Sequence, residues 1–226
     1  MSLPPPRALL FDLDGTLVDT VGIRVQAWLA AFVEVGLRPD PETVGRLMGS
    51  DGRFVAREAA RSVGRTLEPA EAEALDHRAG ALFGQLNREP RALPGATALL
   101  AHLDRVGLPW AVATSSRPEQ VHASVDALGQ DHQPRVTDGS RVAHAKPAPD
   151  LLLSAAKEME VPLAGTWYVG DSTWDMQAAV ASGMVPVGVT TGAVDAVALR
   201  AAGARLCVSS LGELLAVLER AGPTDG

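Results

Sequence analysis

From Pro94 onward, short apolar runs alternate with stretches of helical spacing, and this alternation most narrows what the chain can fold into. Residues 109–114, 166–170, 185–189 and 205–208 read as strands, and 97–106, 118–128, 149–159, 173–182, 196–202 and 211–219 read as helices. Strands that are apolar throughout are buried on both faces, and strand–helix alternation lays helices over both faces of a parallel sheet. The run Ala8, Leu9, Leu10, Phe11 has the same character and predicts a first strand. Between Asp19 and Glu89 the period changes: Val25, Trp28, Leu29 and Phe32 recur at helical spacing, and glycine or proline breaks the stretch near 36–41, 49–52 and 69. About four helices and no strand are expected there. The expectation is an α/β protein, a doubly wound parallel sheet built from residues 1–17 and 90–226, with a helical domain, 18–89, inserted after the first strand.

Charge and cysteine content exclude several functions. A formal net charge of -7 suits neither a coat for nucleic acid nor one for an anionic membrane. The single cysteine, Cys207, permits no intrachain disulfide, and no apolar run approaches the roughly twenty residues that span a bilayer. The proline-rich start lacks the charged-then-apolar pattern of a signal peptide. The expectation is a soluble cytoplasmic protein, a monomer or weak homodimer, with no nucleic-acid or membrane partner.

Open parallel sheets bind ligands beyond the carboxyl ends of their strands, and the polar residues collect there. Asp12-Leu13-Asp14-Gly15-Thr16 leaves the first strand with two carboxylates two residues apart. Such a pair is unfavourable unless a cation or shared proton relieves it, and hard oxygen ligands suit magnesium; Asp and Gly are also ordinary turn residues. Gly170-Asp171-Ser172 with Asp175 is a second acidic turn, its two aspartates on one face of a helix start, where an N-cap and a dipole-favoured acid would account for one of them. Lys146, followed by Pro147 and Pro149, is either a solvated charge or the fixed cation that an acidic site needs. Thr114-Ser115-Ser116 offers hydroxyls and N–H groups to phosphate oxygens, or an N-cap to the helix at Pro118.

Taken in order, Asp12-Leu13-Asp14-Gly15-Thr16, Thr114, Lys146 and Gly170-Asp171 through Asp175 resemble the haloacid-dehalogenase-like hydrolase superfamily across nearly the whole chain. The helical block resembles the cap of its phosphoglycolate-phosphatase-like and beta-phosphoglucomutase-like members. The resemblance implies a magnesium-dependent phosphatase acting on a small phosphate ester. Asp12 would be the nucleophile and form an aspartyl-phosphate. Asp14 would be the general acid and base, its pKa raised by its acidic neighbours. Lys146 and Thr114 would bind the phosphoryl group, with Gly15, Thr16 and Ser115 around it and N–H groups after Asp12 forming an anion nest. Asp12, the backbone carbonyl of Asp14, and Asp171 would hold the metal, with Asp175 behind them. Ala145 stands where a glycine is common in the family.

Three rivals follow. A phosphosugar mutase of the beta-phosphoglucomutase type shares the cap, but Arg24 stands where that pattern has histidine. A signalling receiver would be about half this length without the helical insert. A non-catalytic binding protein on the same fold would not need every catalytic residue type. Selectivity is expected from the cap, through Arg24 and through Arg53 on the glycine-broken turn 48–53. Two cations there point to a substrate with a second polar or anionic group.

Overall fold

The computed structural model describes residues 3–130, 132–142 and 144–221. Strand β1 (Ala8–Phe11) is followed by four helices, α1 (Val21–Glu34), α2 (Pro41–Leu47), α3 (Gly52–Ser62) and α4 (Pro69–Leu86). The alternation then runs α5 (Ala96–Val106), β2 (Trp110–Thr114), α6 (Pro118–Asp126), β3 (Val136–Asp138), α7 (Asp150–Met159), β4 (Thr166–Gly170), α8 (Thr173–Ser182), β5 (Val185–Val189), α9 (Ala196–Ala201), β6 (Leu206–Val208) and α10 (Leu211–Ala221). Among the described residues the strands form one parallel sheet in the order β3-β2-β1-β4-β5-β6. No described helix is long and apolar enough to cross a membrane.

Strand β3 departs from the sequence expectation, which had no element between α6 and α7. It is three residues long with Thr137 at its centre, too short and polar to carry a periodic signal. Its pairing with β2, Val112 against Val136 through Thr114 against Asp138, makes it a strand.

Strands β1, β2, β4 and β5 are buried from end to end because both faces are covered. Leu9, Phe11, Trp167 and Val169 pack on one face against Leu99, Leu103 and Leu214 from α5 and α10. Leu10 and Tyr168 lie on the other face with Leu152 of α7 and Ala178 of α8. The helix after the insertion, α5, and the helix after β4 thus cover opposite faces, and the topological switch falls between β1 and β4. A crevice opens at such a point beyond the strand ends, where Asp12 and Asp171 lie.

Helices α1–α4 bury a separate cluster that includes Trp28, Phe32, Val44, Val55 and Leu75, with the Trp28 and Phe32 rings 5.6 Å apart. The chain leaves and re-enters the sheet region through two segments tied to each other: Leu93 N–H donates to Leu17 O at 2.8 Å and Asp19 N–H to Arg91 O at 2.9 Å.

Two left-handed glycines separate strain from packing. Gly36 (φ 76°) follows α1 with open space around it, whereas a Cβ on Gly95 (φ 89°) would meet the backbone N of Gly212 at 2.6 Å. Gly36→Ala should cost about 1–2 kcal/mol from handedness alone. Gly95→Ala should cost measurably more in the same urea titration, because α10 must also move. Equal costs would mean that α10 yields freely at this contact.

Candidate active site

The end of β1 delivers Asp12 and the end of β4 delivers Asp171, side by side because Phe11 and Val169 are paired neighbours. Lys146 rises beside Asp12, its side chain fully buried, with Nζ 2.8 Å from Asp12 Oδ1 and 2.6 Å from Asp175 Oδ1. Asp175 is held by α8: its Oδ2 accepts from the N–H of Ser172 (3.0 Å) and from the Ser172 hydroxyl, a capping box closing the helix start. The Tyr168 hydroxyl lies 3.1 Å from both Asp175 Oδ1 and Ala113 O. Asp175 is therefore committed to Lys146, Tyr168 and Ser172. Asp171 accepts one hydrogen bond, from Thr16 Oγ1 at 2.9 Å.

Charge does not balance here. The carboxylate oxygens of Asp12, Asp171 and Asp175 lie within 4.8 Å of one another, and Lys146 is the ammonium among them. Burial pushes the Asp12 carboxyl up to about 7, with Lys146 opposing and Asp175 and Asp14 adding to the rise. Burial and the charges of Asp175 and Asp12 hold Asp171 well above the carboxylate range. A divalent cation would neutralise the surplus, and an all-carboxylate donor set suits a hard ion. The backbone makes room for these carboxylates: a Cβ on Gly15 (φ 81°) would fall 2.4 Å from Asp171 Oδ2, and one on Gly192 1.8 Å from it. The residues present fit a metal, with Asp12 and Asp171 as the carboxylates engaged through one oxygen, Oδ1, whereas both oxygens of Asp175 are taken.

Asp14 overturns one expectation. Its carboxyl is held below the ordinary range rather than raised. Burial works to raise it, but the charge of Arg24 and hydrogen bonds from Arg24, Ser116 and Thr20 outweigh burial. Arg24 Nη2 lies 2.6 Å from Asp14 Oδ2, Ser116 Oγ donates to the same oxygen at 2.6 Å, and Thr20 Oγ1 donates to Oδ1 at 2.6 Å. Arg24 also lies 3.9 Å above the Phe83 ring. The acidic neighbours seen in the sequence matter less than an arginine brought ten residues later by α1.

A cavity of about 290 Å³ opens between sheet and helices, and Asp12, Asp14, Arg24, Arg53, Thr114, Ser115, Lys146 and Asp171 line it. Gly15 and Thr16, expected on the substrate, lie behind it as supports for Asp171. Of the N–H groups after Asp12, that of Gly15 donates to Val18 O and that of Thr16 to Leu13 O. The 114–116 segment does not cap α6, whose N-cap is Arg117; the Thr114 hydroxyl accepts from Ser116 N–H at 3.1 Å. Arg53 is on the wall but paired with Asp51 at 2.9 Å. Sequence reasoning passed over Tyr168, Asp76, Arg117 and Gln120. Tyr168 left a signal, being the one tyrosine in the sequence and placed in the middle of an apolar strand, where its hydroxyl needs a buried partner.

The arrangement has close parallels. The sequence profile of the haloacid dehalogenase-like hydrolases matches residues 9–189. Protein CbbY (plasmid) of Cupriavidus necator is 35% identical over 204 residues, 81% of this chain and 78% of that protein. A phosphoglycolate phosphatase of Rhodospirillum rubrum is 34% identical over 190 residues, 80% of this chain and 78% of that one. The crystal structure of a hydrolase from Pseudomonas syringae superposes with a TM-score of 0.88 at 32% identity, covering 96% of this chain and 99% of that one.

The raised carboxyls fix a sign for stability. Asp12 and Asp171 bind protons more tightly folded than unfolded, where they titrate near 4. Stability of the metal-free protein should therefore fall as pH rises from about 4 to about 7. A divalent metal would bind the ionised carboxylates, so the rise in Tm with magnesium should be larger at pH 8 than at pH 5.5. Thermal unfolding with chelator and with magnesium at both values checks this, and a larger magnesium shift at pH 5.5 would contradict it.

Proposed function

The chain belongs to the haloacid dehalogenase-like hydrolase family and is a phosphoric monoester hydrolase, and from that premise we propose a magnesium-dependent phosphatase that cleaves a small phosphorylated metabolite through an aspartyl-phosphate on Asp12. The observation that carries the reading is the buried ammonium of Lys146 set between Asp12 and Asp175 at the floor of the cavity. It places a fixed positive charge beside a carboxylate that opens on the ligand space, as in-line phosphoryl transfer needs.

In the first step a carboxylate oxygen of Asp12 attacks phosphorus, the bond to the ester oxygen breaks, and Asp14 gives that oxygen a proton. In the second, Asp14 takes a proton from water, the water oxygen attacks phosphorus, and the bond to Asp12 breaks to release phosphate. Lys146 and Thr114 hold phosphoryl oxygens, and Asp175 positions Lys146. Asp12, Asp171 and the backbone carbonyl of Asp14 would hold magnesium, which would supply charge to offset the phosphoryl oxygens. An ionised Asp14 tied to Arg24 is in the state that accepts a proton from water; for the acid step that ion pair has to open. Residues 18–89 act as a cap on hinges at 16–19 and 88–94. Contacts from Ser115 Oγ to Gly49 O (3.3 Å) and Trp174 Nε1 to Arg46 O (3.3 Å) support a cap that closes on the sheet end.

Asp12→Asn keeps the shape of the nucleophile and removes its charge. Turnover should fall by about a thousandfold or more while thermal unfolding stays cooperative. Near-normal turnover by the folded variant would remove the phosphoenzyme.

Asp14→Ala should hurt alkyl phosphates more than nitrophenyl phosphate in the first half-reaction, because a good leaving group needs no proton. Single-turnover measurements on both esters test this, and equal losses would assign the acid elsewhere.

A further inference from the structure

The cap end of the cavity carries a charge pattern that the phosphoryl chemistry does not use. Its wall is formed by Asp51 and Arg53 at the start of α3, Asp76 of α4 and Arg117 ahead of α6. A second phosphate or a carboxylate on the substrate would need a free cation here, and each guanidinium is already engaged. Arg53 Nη2 lies 2.9 Å from Asp51 Oδ2, and its Nη1 lies 3.8 Å from Glu73 Oε2. Arg117 Nη2 lies 2.7 Å from Asp76 Oδ2 and 3.3 Å from Glu73 Oε1. Arg24, further in, belongs to Asp14. The sequence expectation was a second polar or anionic group on the substrate, and with Arg24 and Arg53 both paired the anionic alternative loses its cations.

Rearrangement does not rescue an anion site. Arg53 is about half exposed (51%), so its own pairing is weak and can break. The total does not change when it does: Asp51, Glu73 and Asp76 outnumber Arg53 and Arg117, and His77, which contacts Glu73 at 3.0 Å, adds no charge while neutral. The acidic members are also built in. A Cβ on Gly52 would fall 1.9 Å from Asp76 Oδ1, so the glycine at the start of α3 lets that carboxylate sit against the helix. Asp51 is the N-cap of the same helix and accepts from Phe54 N–H. What this wall offers is carboxylate acceptors beside guanidinium donors, with the amide of Gln120 close by. That set matches hydroxyl groups, each of which donates and accepts. The cavity, about 290 Å³, lies at the small end of ligand pockets.

We propose that the substrate is the monophosphate of a sugar or polyol, its uncharged hydroxyl-bearing end seated against Asp51, Arg53, Asp76 and Arg117, and that this wall discriminates against a second phosphate or a carboxylate. The assignment rests on the phosphatase reading and names the substrate class of that site.

The test compares kcat/KM at pH 7.5 with magnesium for fructose 6-phosphate, sorbitol 6-phosphate, fructose 1,6-bisphosphate and phosphoglycolate. Nitrophenyl phosphate gauges the chemistry apart from the cap. The monophosphates should be favoured over both anionic competitors by at least about tenfold. In a Glu73→Gln, Asp76→Asn double variant, which removes two negative charges, the ratio of fructose bisphosphate to fructose monophosphate should rise at least about tenfold. A wild-type preference for the bisphosphate or for phosphoglycolate overturns the proposal and leaves the phosphatase reading standing. So does an unchanged ratio in a folded double variant. If the wild-type protein hydrolyses no ester, nitrophenyl phosphate included, the phosphatase reading falls. The proposal is then decided by calorimetric binding of the two fructose phosphates to Asp12→Asn protein with magnesium: tighter monophosphate binding upholds it, and tighter bisphosphate binding, or none of either, overturns it.

Discussion

The buried ammonium of Lys146 is the interaction on which the rest of the site depends. Three carboxylates cannot share the end of a parallel sheet, out of water, without it. Nor could the lysine stay charged there alone; burial works to lower its pKa, and Asp12 and Asp175 overcome that and hold it well above the ordinary range. Removing one partner from such a buried arrangement typically costs about 3–5 kcal/mol, since a charge is left uncompensated. Around this centre the fold is arranged to keep each member in place. The Ser172 capping box fixes Asp175, the Tyr168 hydroxyl reaches into the same group from β4, and the proline-bounded segment before α7 brings Lys146 in from far along the chain.

Two aspartates two residues apart are thereby given opposite characters. Burial raises the Asp12 carboxyl to about 7, with Lys146 opposing and Asp175 and Asp14 adding to the rise, whereas at Asp14 the charge and hydrogen bonds of Arg24 help to outweigh burial and its carboxyl is lowered. Separating the affinities of neighbouring acids is the usual way in which a site assigns them different tasks. The lowering of Asp14 comes largely from the inserted helices, because Arg24 lies on α1 while Asp12 and Asp14 belong to the sheet end. The state of the candidate acid is thus coupled to the position of the helical segment above it.

That coupling needs close approach, and small residues permit it. A Cβ on Gly49 would fall 2.7 Å from Ser172 Oγ, and one on Gly80 2.5 Å from Gln120 Nε2. Phe54 of α3 meets Trp174 of α8 edge to face at 5.3 Å. The helical segment therefore rests on the start of α8, the element that also holds Asp175.

By itself the sequence determined the class of fold and pointed to the acidic turns and the lysine of the candidate site. Continuous apolar strands, helical spacing between them and acidic turns at their ends are local patterns; Asp12 and Asp171 are legible because each directly follows a strand, and Lys146 because prolines follow it ahead of a helix. The short strand β3 was not legible, since three residues hold no period and their neighbour β2 makes the strand. The pairing of Arg24 with Asp14, the neutralisation of Arg53 and Arg117 by Asp51, Glu73 and Asp76, and the support role of Gly15 and Thr16 were decided only by the tertiary structure. The physical reason is that a residue's type states its charge, while its pKa and its freedom to bind a ligand depend on which opposite charge the fold sets within a few ångströms of it.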